Sequence, residues 1–274
     1  MPVLKKKLVE SVSQFSSKLI IPSGKLIAVD TETTGLMAYA GDQPFAVSFC
    51  NENGETGYVQ WLVDPKTRKV RPDKDDLKIL GKFLADDSIS KVFFNSSFDL
   101  RMFQIGLGLK VNGIIEDSQI SMHVCNTAER NYKLKYLCKR FGIMEDDDEK
   151  ALKKLVISCR LKAKKLGWKI HENVEPDYWI PKQLNPKDDT CEIYAVKDAI
   201  RTMELWKQTV EFMHESGRYE SYLFEMHKLA PILREMEDRG MTIDPDVIFD
   251  EIDNCTFEAE KARRSLCKVA KKPD

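Results

Sequence analysis

The sequence contains no apolar stretch long enough to cross a membrane. A membrane-spanning helix needs about 20 mostly apolar residues, and every apolar run among the 274 residues is far shorter. The lysine-containing N-terminus is not followed by the apolar segment of a secretory signal peptide. These two absences predict a soluble protein of the cytoplasm that has no membrane partner.

Closely spaced cysteines are also absent, which excludes the common zinc sites. No two of the seven cysteines lie within four residues of each other, whereas structural zinc sites use pairs separated by two to four residues. An odd number of irregularly spaced cysteines is typical of free thiols in a reducing compartment. The four histidines are scattered and form no metal-binding pattern.

A strong net charge is missing as well. The 43 basic and 44 acidic residues leave a net charge of −1, which argues against a uniformly basic surface that coats nucleic acid. A local basic run does occur over residues 150–169. This run either follows a phosphate backbone or forms the solvent-exposed face of a helix, and the second arrangement is the commoner one.

The segments that are present predict an α/β domain. The continuous apolar run "LIAVD" is typical of a central strand that is covered on both faces, and Asn53–Gly54 is a strong hairpin signal. Strands that alternate with helical segments predict a three-layer fold with a five-stranded mixed sheet. The predicted strands cover residues 26–30, 45–50, 56–62, 91–94 and 113–117.

The chain after residue 118 is predicted to be mainly helical. Residues 175–186 contain three prolines and are predicted to form a loop before a long helix. A further helix covers about 219–239, and Asp244–Pro245 is the expected start of the last helix. We expect an N-terminal extension over 1–23, the α/β domain over 24–215 and a less tightly packed helical segment over 216–274.

Two carboxylates follow the first predicted strand. Asp30 and Glu32 are two residues apart, so they lie on the same side of the strand, about 7 Å from each other. Like charges at that distance repel, and burying them is costly unless a positive charge lies between them. The pair is therefore either solvated at the strand end or bound to a metal ion.

Three further polar residues lie in helices that follow the strands. Asp99 belongs to the first turn of a helix, where a favourable contact with the helix dipole is the simpler explanation. Tyr194 and Asp198 are four residues apart and lie on one face of the long helix, where both could simply face solvent.

Taken together, three short segments resemble a known enzyme family. In order, "DTETTGL", "NSSFD" and "YAVKD" resemble the three motifs of the DEDD superfamily of 3′–5′ exonucleases, and the tyrosine marks the DEDDy branch. The stretch "LAPILREMEDRGMTIDPDVI" is similar to the segment that joins the proofreading exonuclease domain to the polymerase in family A DNA polymerases. Motifs of a polymerase active site are absent from the sequence. The resemblance implies an RNase H-like fold over 24–215 and the start of a polymerase region over 216–274.

The resemblance also implies roles for individual residues. Two divalent ions, Mg²⁺ or Mn²⁺, would be bound by four carboxylates, and Tyr194 would orient the attacking water. The implied metal ligands are Asp30, Glu32, Asp99 and Asp198. The residues implied to bind the terminal nucleotides are Thr33, Leu36, Asn95 and Phe98; of these, Leu36 and Phe98 are also natural core residues beside a strand.

The implied function is hydrolysis of single-stranded DNA from its 3′ end, as in proofreading, with release of nucleoside monophosphates. A polymerase domain or subunit is the implied partner. An exoribonuclease with the same site is the first alternative, because no motif contacts a 2′-hydroxyl group. A nucleic-acid-binding module without catalysis is the second alternative, although all four carboxylates and Tyr194 are present.

Overall fold

The computed structural model describes residues 19–144 and 148–271. Most of the predicted N-terminal extension lies outside these residues. The chain divides into two compact units, one that ends at Ala230 and one that begins at Pro231. Within the described part of the chain, no helix is both long and apolar enough to cross a membrane. All seven cysteines are free thiols, as expected.

A five-stranded mixed sheet forms the centre of the first unit. Its strand order is β3-β2-β1-β6-β7, so the first strand is central, as the apolar run predicted. It is antiparallel to β2 and parallel to β6. A short β4–β5 pair, which was not predicted, forms a second sheet. The strands are β1 Leu26–Thr33, β2 Pro44–Asn51, β3 Thr56–Gln60, β4 Leu62–Val63, β5 Val70–Arg71, β6 Ser90–Phe93 and β7 Ile115–Asp117.

The predicted hairpin joins β2 to β3. Gly54 has a φ of +84°, which glycine adopts without a steric penalty. The Oδ1 atom of Asn51 accepts hydrogen bonds from the backbone N–H groups of Asn53 and Glu55 at 3.0 and 2.8 Å. The turn thus fixes the register in which β2 and β3 pair antiparallel, and β2 is buried along its whole length.

Helices cover both faces of the sheet. The first unit contains α1 to α8, and the second contains α10 and nearly all of α9. The helices are α1 Lys74–Ala85, α2 Ser96–Arg101, α3 Ser118–Cys125, α4 Leu134–Arg140, α5 Asp148–Lys165, α6 Ile180–Leu184, α7 Thr190–Glu215, α8 Tyr219–Phe224, α9 Ala230–Arg239 and α10 Pro245–Ala270.

The prediction of a loop over 175–186 was wrong. The segment contains a 3₁₀ turn at Glu175–Asp177 followed by α6. Each of these elements has a proline in its first turn, where proline fits a helix because that N–H has no helical partner anyway. The prolines therefore start short helices here, and the buried Trp179 anchors the segment in the core.

Alternate side chains of β1 enter different clusters of the core. Ile27 and Val29 belong to the larger cluster, whereas Ala28 packs with Met203 and Trp206 of α7. Since successive strand residues point to opposite faces, β1 is covered on both sides. The hydroxyl of Ser48 in β2 donates to a backbone carbonyl of α7 at 2.8 Å and helps to fix this helix on the sheet.

Tight packing continues beyond residue 216. Tyr222 of α8 is fully buried, and its hydroxyl donates to the Glu116 carboxylate at 2.6 Å and accepts from the Asp117 backbone N–H at 3.0 Å. Neither α9 nor α10 contains a buried residue. The looser packing that was predicted from residue 216 therefore begins only after Ala230. Asp244 caps α10 and Pro245 opens it, as predicted.

Candidate active site

The first two carboxylates lie where β1 separates from its parallel neighbour. β1 pairs with β2 along its length but with β6 only over Leu26–Ala28. β1 therefore extends beyond the end of β6, at the carboxyl edge of the sheet, which is where ligands bind in open α/β sheets. Asp30 and Glu32 follow Ala28 at intervals of two residues, so strand alternation directs both side chains toward the α7 side.

Asp99 approaches the strand end from α2. The Thr31 hydroxyl donates a 2.6 Å hydrogen bond to its Oδ1 atom, which connects β1 directly to α2. Asp99 is only 3% exposed. Burial raises the pKa of Asp99 from 3.8 to about 7, although the Thr31 hydrogen bond opposes the rise. In the absence of a cation, the folded chain therefore disfavours the charged form of this carboxylate.

Burial and repulsion between like charges both act on Asp30 and Glu32. Burial raises the pKa of Asp30 well above its ordinary value, and the charges of Glu32, Asp99 and Asp198 raise it further. Burial likewise raises the pKa of Glu32, with a further contribution from Asp198. The structure thus brings the four predicted carboxylates close enough for their charges to act on one another.

Asp198 is held by two cationic side chains. The guanidinium of Arg201 donates to its Oδ1 atom at 2.6 Å, and the ammonium nitrogen of Lys135 lies 3.6 Å from its Oδ2 atom. Burial raises the pKa of Asp198, whereas Lys135 and Arg201 oppose the rise. Arg201 is also bound to both carboxylate oxygens of Asp148 at 3.1 Å, so α7 is connected to the start of α5 beside the site.

Tyr194 lies one helical turn before Asp198 and is half-buried rather than solvent-facing. Its ring makes an edge-on contact with Tyr178, with centroids 5.4 Å apart. Burial raises the pKa of its phenol far above the ordinary value, and the charges of Glu32 and Asp198 add to the rise. The hydroxyl therefore stays protonated at neutral pH and can donate a hydrogen bond.

The carboxylates do not form a finished metal site. Among residues 19–144 and 148–271, no three His, Cys, Asp or Glu side chains are arranged so that they could hold a metal ion. Asp99 accepts a hydrogen bond from Thr31 on one oxygen, and the two oxygens of Asp198 face Arg201 and Lys135. The donor chemistry nevertheless suits a hard divalent cation, because the set offers only carboxylate oxygens and its buried charges repel one another.

The four residues predicted to bind nucleotides lie beside this edge of the sheet. Leu36, in the loop after β1, is 74% exposed and is not a core residue. Phe98 is half-buried and belongs to none of the core clusters. Asn95 is exposed and adopts a left-handed conformation immediately before α2, with a φ of +65°. The hydroxyl of Thr33 donates to the carbonyl of Gly35 at 2.7 Å, within the loop that presents Leu36.

Three residues of the site were not predicted as such: Thr31, Lys135 and Arg201. Thr31 lies between the two carboxylates of the first motif, but nothing in its neighbourhood indicates a partner 68 residues away. Lys135 belongs to "YKLKYLCKRFG", a lysine-rich segment in which no one lysine stands out. Arg201 is three residues after Asp198, a spacing that allows a contact on a helix.

The basic run over 150–169 is partly neutralised by acidic neighbours. Lys153 pairs with Glu149 and Glu175 at 2.7 and 2.8 Å, and the Nε atom of Arg160 lies 3.1 Å from the buried Asp177. These two side chains of the run therefore stabilise the packing around α5.

The chain is similar in sequence to a phage DNA polymerase and in fold to two proteins of known structure. It is 25% identical over 256 residues to DNA polymerase DpoZ of Salmonella phage PMBT28, covering 89% of this chain and 35% of that protein. The chain thus spans about a third of the length of this curated relative.

Two solved structures share the fold. NrnC of Brucella melitensis superposes with a TM-score of 0.54 and 19% identity, covering 80% of this chain and 87% of that one. RNase D of Escherichia coli, an exoribonuclease involved in structured RNA processing, superposes with a TM-score of 0.50 and 16% identity, covering 90% of this chain and 52% of that one. These similarities confirm the expected RNase H-like, DEDD-type fold.

The similarity of the sequence itself is more specific. Residues 6–211 match a family model described as 3′–5′ exonuclease. This match covers more than half of the chain and includes all three motifs from Asp30 to Asp198. The resemblance inferred from those motifs is confirmed, and the chain belongs to the 3′–5′ exonuclease domain family.

Proposed function

We propose that the chain is a metal-dependent 3′–5′ exonuclease that releases nucleoside monophosphates from single-stranded DNA ends. The observation that carries the proposal is the set of four mutually repelling carboxylates at the carboxyl end of β1, in a member of an exonuclease family. Exposed acids would keep ordinary pKa values. Buried acids with raised pKa values are typical of sites that await a cation or carry out chemistry.

We propose that Asp30, Glu32, Asp99 and Asp198 hold two Mg²⁺ or Mn²⁺ ions. Such ions would supply Lewis-acid polarisation of the scissile phosphate and a more acidic bound water. Thr31 contacts only one oxygen of Asp99, so the other oxygen is left for a cation. The two oxygens of Asp198 face Arg201 and Lys135, so Asp198 would give up one of these partners to bind an ion.

Tyr194 would position the attacking water by donating a hydrogen bond. A phenol whose pKa lies far above 10 is a poor general base at neutral pH, so orientation is the role that its chemistry supports. Its position one turn from Asp198 would place the hydroxyl and the carboxylate on the same side of α7.

The terminal nucleotides would bind along the loop after β1 and the start of α2. The side chain of Leu36 is suited to wedge between the last two bases. It is apolar and 74% exposed, so contact with a base would remove apolar surface from water. Phe98 offers a partly accessible ring for stacking, and Thr33 and Asn95 offer polar groups to the terminal sugar.

DNA is favoured as the substrate by the similarity to a phage DNA polymerase. On this proposal, residues 24–215 form the exonuclease domain and residues 216–274 lead into a polymerase region, supplied by the same polypeptide or by a partner. The fold shared with an exoribonuclease favours RNA as the second candidate substrate. Both substrates would use the same carboxylates.

A comparison of matched oligonucleotides tests the proposal. DNA and RNA of one sequence, each labelled at the 5′ end, are incubated with the protein and Mg²⁺ or Mn²⁺, with the 3′ end either free or blocked. We expect a ladder of shortened DNA only when the 3′ end is free, and no ladder with Asp30→Ala. Faster shortening of RNA would favour the exoribonuclease, and binding of both without cleavage would favour the non-catalytic module.

A further inference from the structure

Lys135 of α4 places its charge against the carboxylate set. Its ammonium nitrogen lies 3.6 Å from Oδ2 of Asp198, 3.3 Å from Oε2 of Glu149 and 3.8 Å from the centre of the Tyr194 ring. The last distance is that of a close cation–π contact. The ammonium thus contacts a predicted metal ligand and the predicted water-orienting residue at the same time.

The influence of this charge extends beyond its direct contacts. Lys135 lowers the pKa of Asp30, Glu32 and Asp198, in each case against the effect of burial. A divalent cation would have the same sign of effect on the same groups. The single positive charge of Lys135 therefore stabilises the charged carboxylates in part, as a bound metal ion would do more strongly.

Arg201 also contacts Asp198, but it is placed differently. Its side chain is 1% exposed and is fixed by the bidentate contact with Asp148. The side chain of Lys135 is 25% exposed and has a flexible four-carbon stem. Of these two cations, only the lysine can turn toward solvent without leaving a buried, unpaired charge behind.

We propose that Lys135 is the resident counter-ion of the carboxylate set: it stabilises Asp198 and the Tyr194 ring in the metal-free chain and gives up Asp198 when a divalent cation binds. This inference rests on the proposed function. A divalent ion bound to Asp198 would lie close to the Lys135 ammonium, which is 3.6 Å from Oδ2, and would repel it; metal binding and the Lys135–Asp198 contact therefore compete. Lys135 acts through Asp198 and Tyr194 and is a positioning residue.

Metal affinity in the absence of substrate provides the first test. Mn²⁺ binding is measured by calorimetry for the wild type, Lys135→Met and a control, Lys133→Met, which removes the same charge from an exposed position in the same segment. We expect Lys135→Met to bind Mn²⁺ about tenfold more tightly or better, because a competing charge has gone, and to unfold at lower temperature in EDTA. The control should match the wild type in both measurements.

The second test needs no variant and therefore does not depend on folding of Lys135→Met. The wild-type protein is treated briefly with an amine-acetylating reagent, with and without Mn²⁺, and the modification of each lysine is measured by mass spectrometry. We expect Mn²⁺ to raise the acetylation rate of Lys135 at least about threefold, because the amine leaves its ion pair with Asp198, and to leave Lys133 unchanged.

The outcomes separate this inference from the proposed function. If Mn²⁺ binds and the wild type degrades oligonucleotides, but Mn²⁺ leaves the acetylation of Lys135 unchanged or lowers it, the counter-ion role is refuted. Equal or weaker Mn²⁺ binding by a folded Lys135→Met variant refutes it as well. If the wild type neither binds Mn²⁺ nor shortens any oligonucleotide, the proposed function itself is refuted.

Discussion

Replacing Asp99 by asparagine should stabilise the metal-free protein at neutral and alkaline pH. The amide has nearly the shape of the carboxylate and can still accept the hydrogen bond from Thr31, which is 2.6 Å long in the wild type. The substitution therefore removes a buried charge and changes little else. Any gain in the free energy of unfolding then reports the cost of that charge.

The size of the gain follows from the pKa of Asp99. Each pKa unit corresponds to about 1.4 kcal/mol, so a rise from 3.8 to about 7 corresponds to roughly 4 kcal/mol. Because the folded-state pKa is raised, the wild type bears no such cost below about pH 4, where the group is protonated in both states. The wild type loses this part of its free energy of unfolding as the pH rises toward 7 and does not regain it at higher pH. The advantage of Asp99→Asn should therefore grow between about pH 4 and pH 7 and then level off.

Urea unfolding of both proteins in EDTA, from about pH 4 to pH 8, measures this difference directly. An Asp87→Asn variant is the control, because Asp87 is exposed and lies before β6, at the opposite end of that strand from the site. The control should show no comparable growth with pH. A difference between Asp99→Asn and the wild type that stays flat from pH 4 to pH 8, or that reverses sign, would refute the account of a buried, uncompensated carboxylate.

Three further predictions concern the same site. Asp30→Ala should abolish the shortening of 3′-ended oligonucleotides, and retained activity would contradict the catalytic role. In urea unfolding the metal-free variant should be at least as stable as the wild type, because the substitution relieves repulsion between carboxylates. Mg²⁺ or Mn²⁺ at about 100 times its dissociation constant should raise the free energy of unfolding by about 2.7 kcal/mol, and a melting temperature insensitive to both ions would exclude a metal site. Tyr194→Phe should leave Mn²⁺ affinity within about twofold, since only the hydroxyl is lost, but slow turnover at least about tenfold; unchanged turnover in single-turnover assays would remove Tyr194 from the mechanism.

Local patterns determined much of the fold in advance. The apolar run before Asp30 specified a central strand because only a strand covered on both faces tolerates continuous apolar residues. The Asn53–Gly54 turn specified the hairpin because its glycine adopts a positive φ, observed at +84° for Gly54. Proline is a misleading sign of a loop over residues 175–186, because proline also opens helices, as it does in α6.

The sequence also determined the family, because three motifs in a fixed order carry more information than any one of them. It did not determine the direction in which the carboxylate pKa values shift, or which side chains contact the carboxylates. Thr31 meets Asp99 across 68 positions of the chain, and Lys135 meets Asp198 only because α4 packs beside α7. Periodicity within a strand or helix tells which way a side chain points, but contacts between distant segments depend on how those elements pack. Tertiary structure alone therefore decided that Lys135 reaches Asp198, whereas the contact between Arg201 and Asp198, three residues apart on one helix, is local.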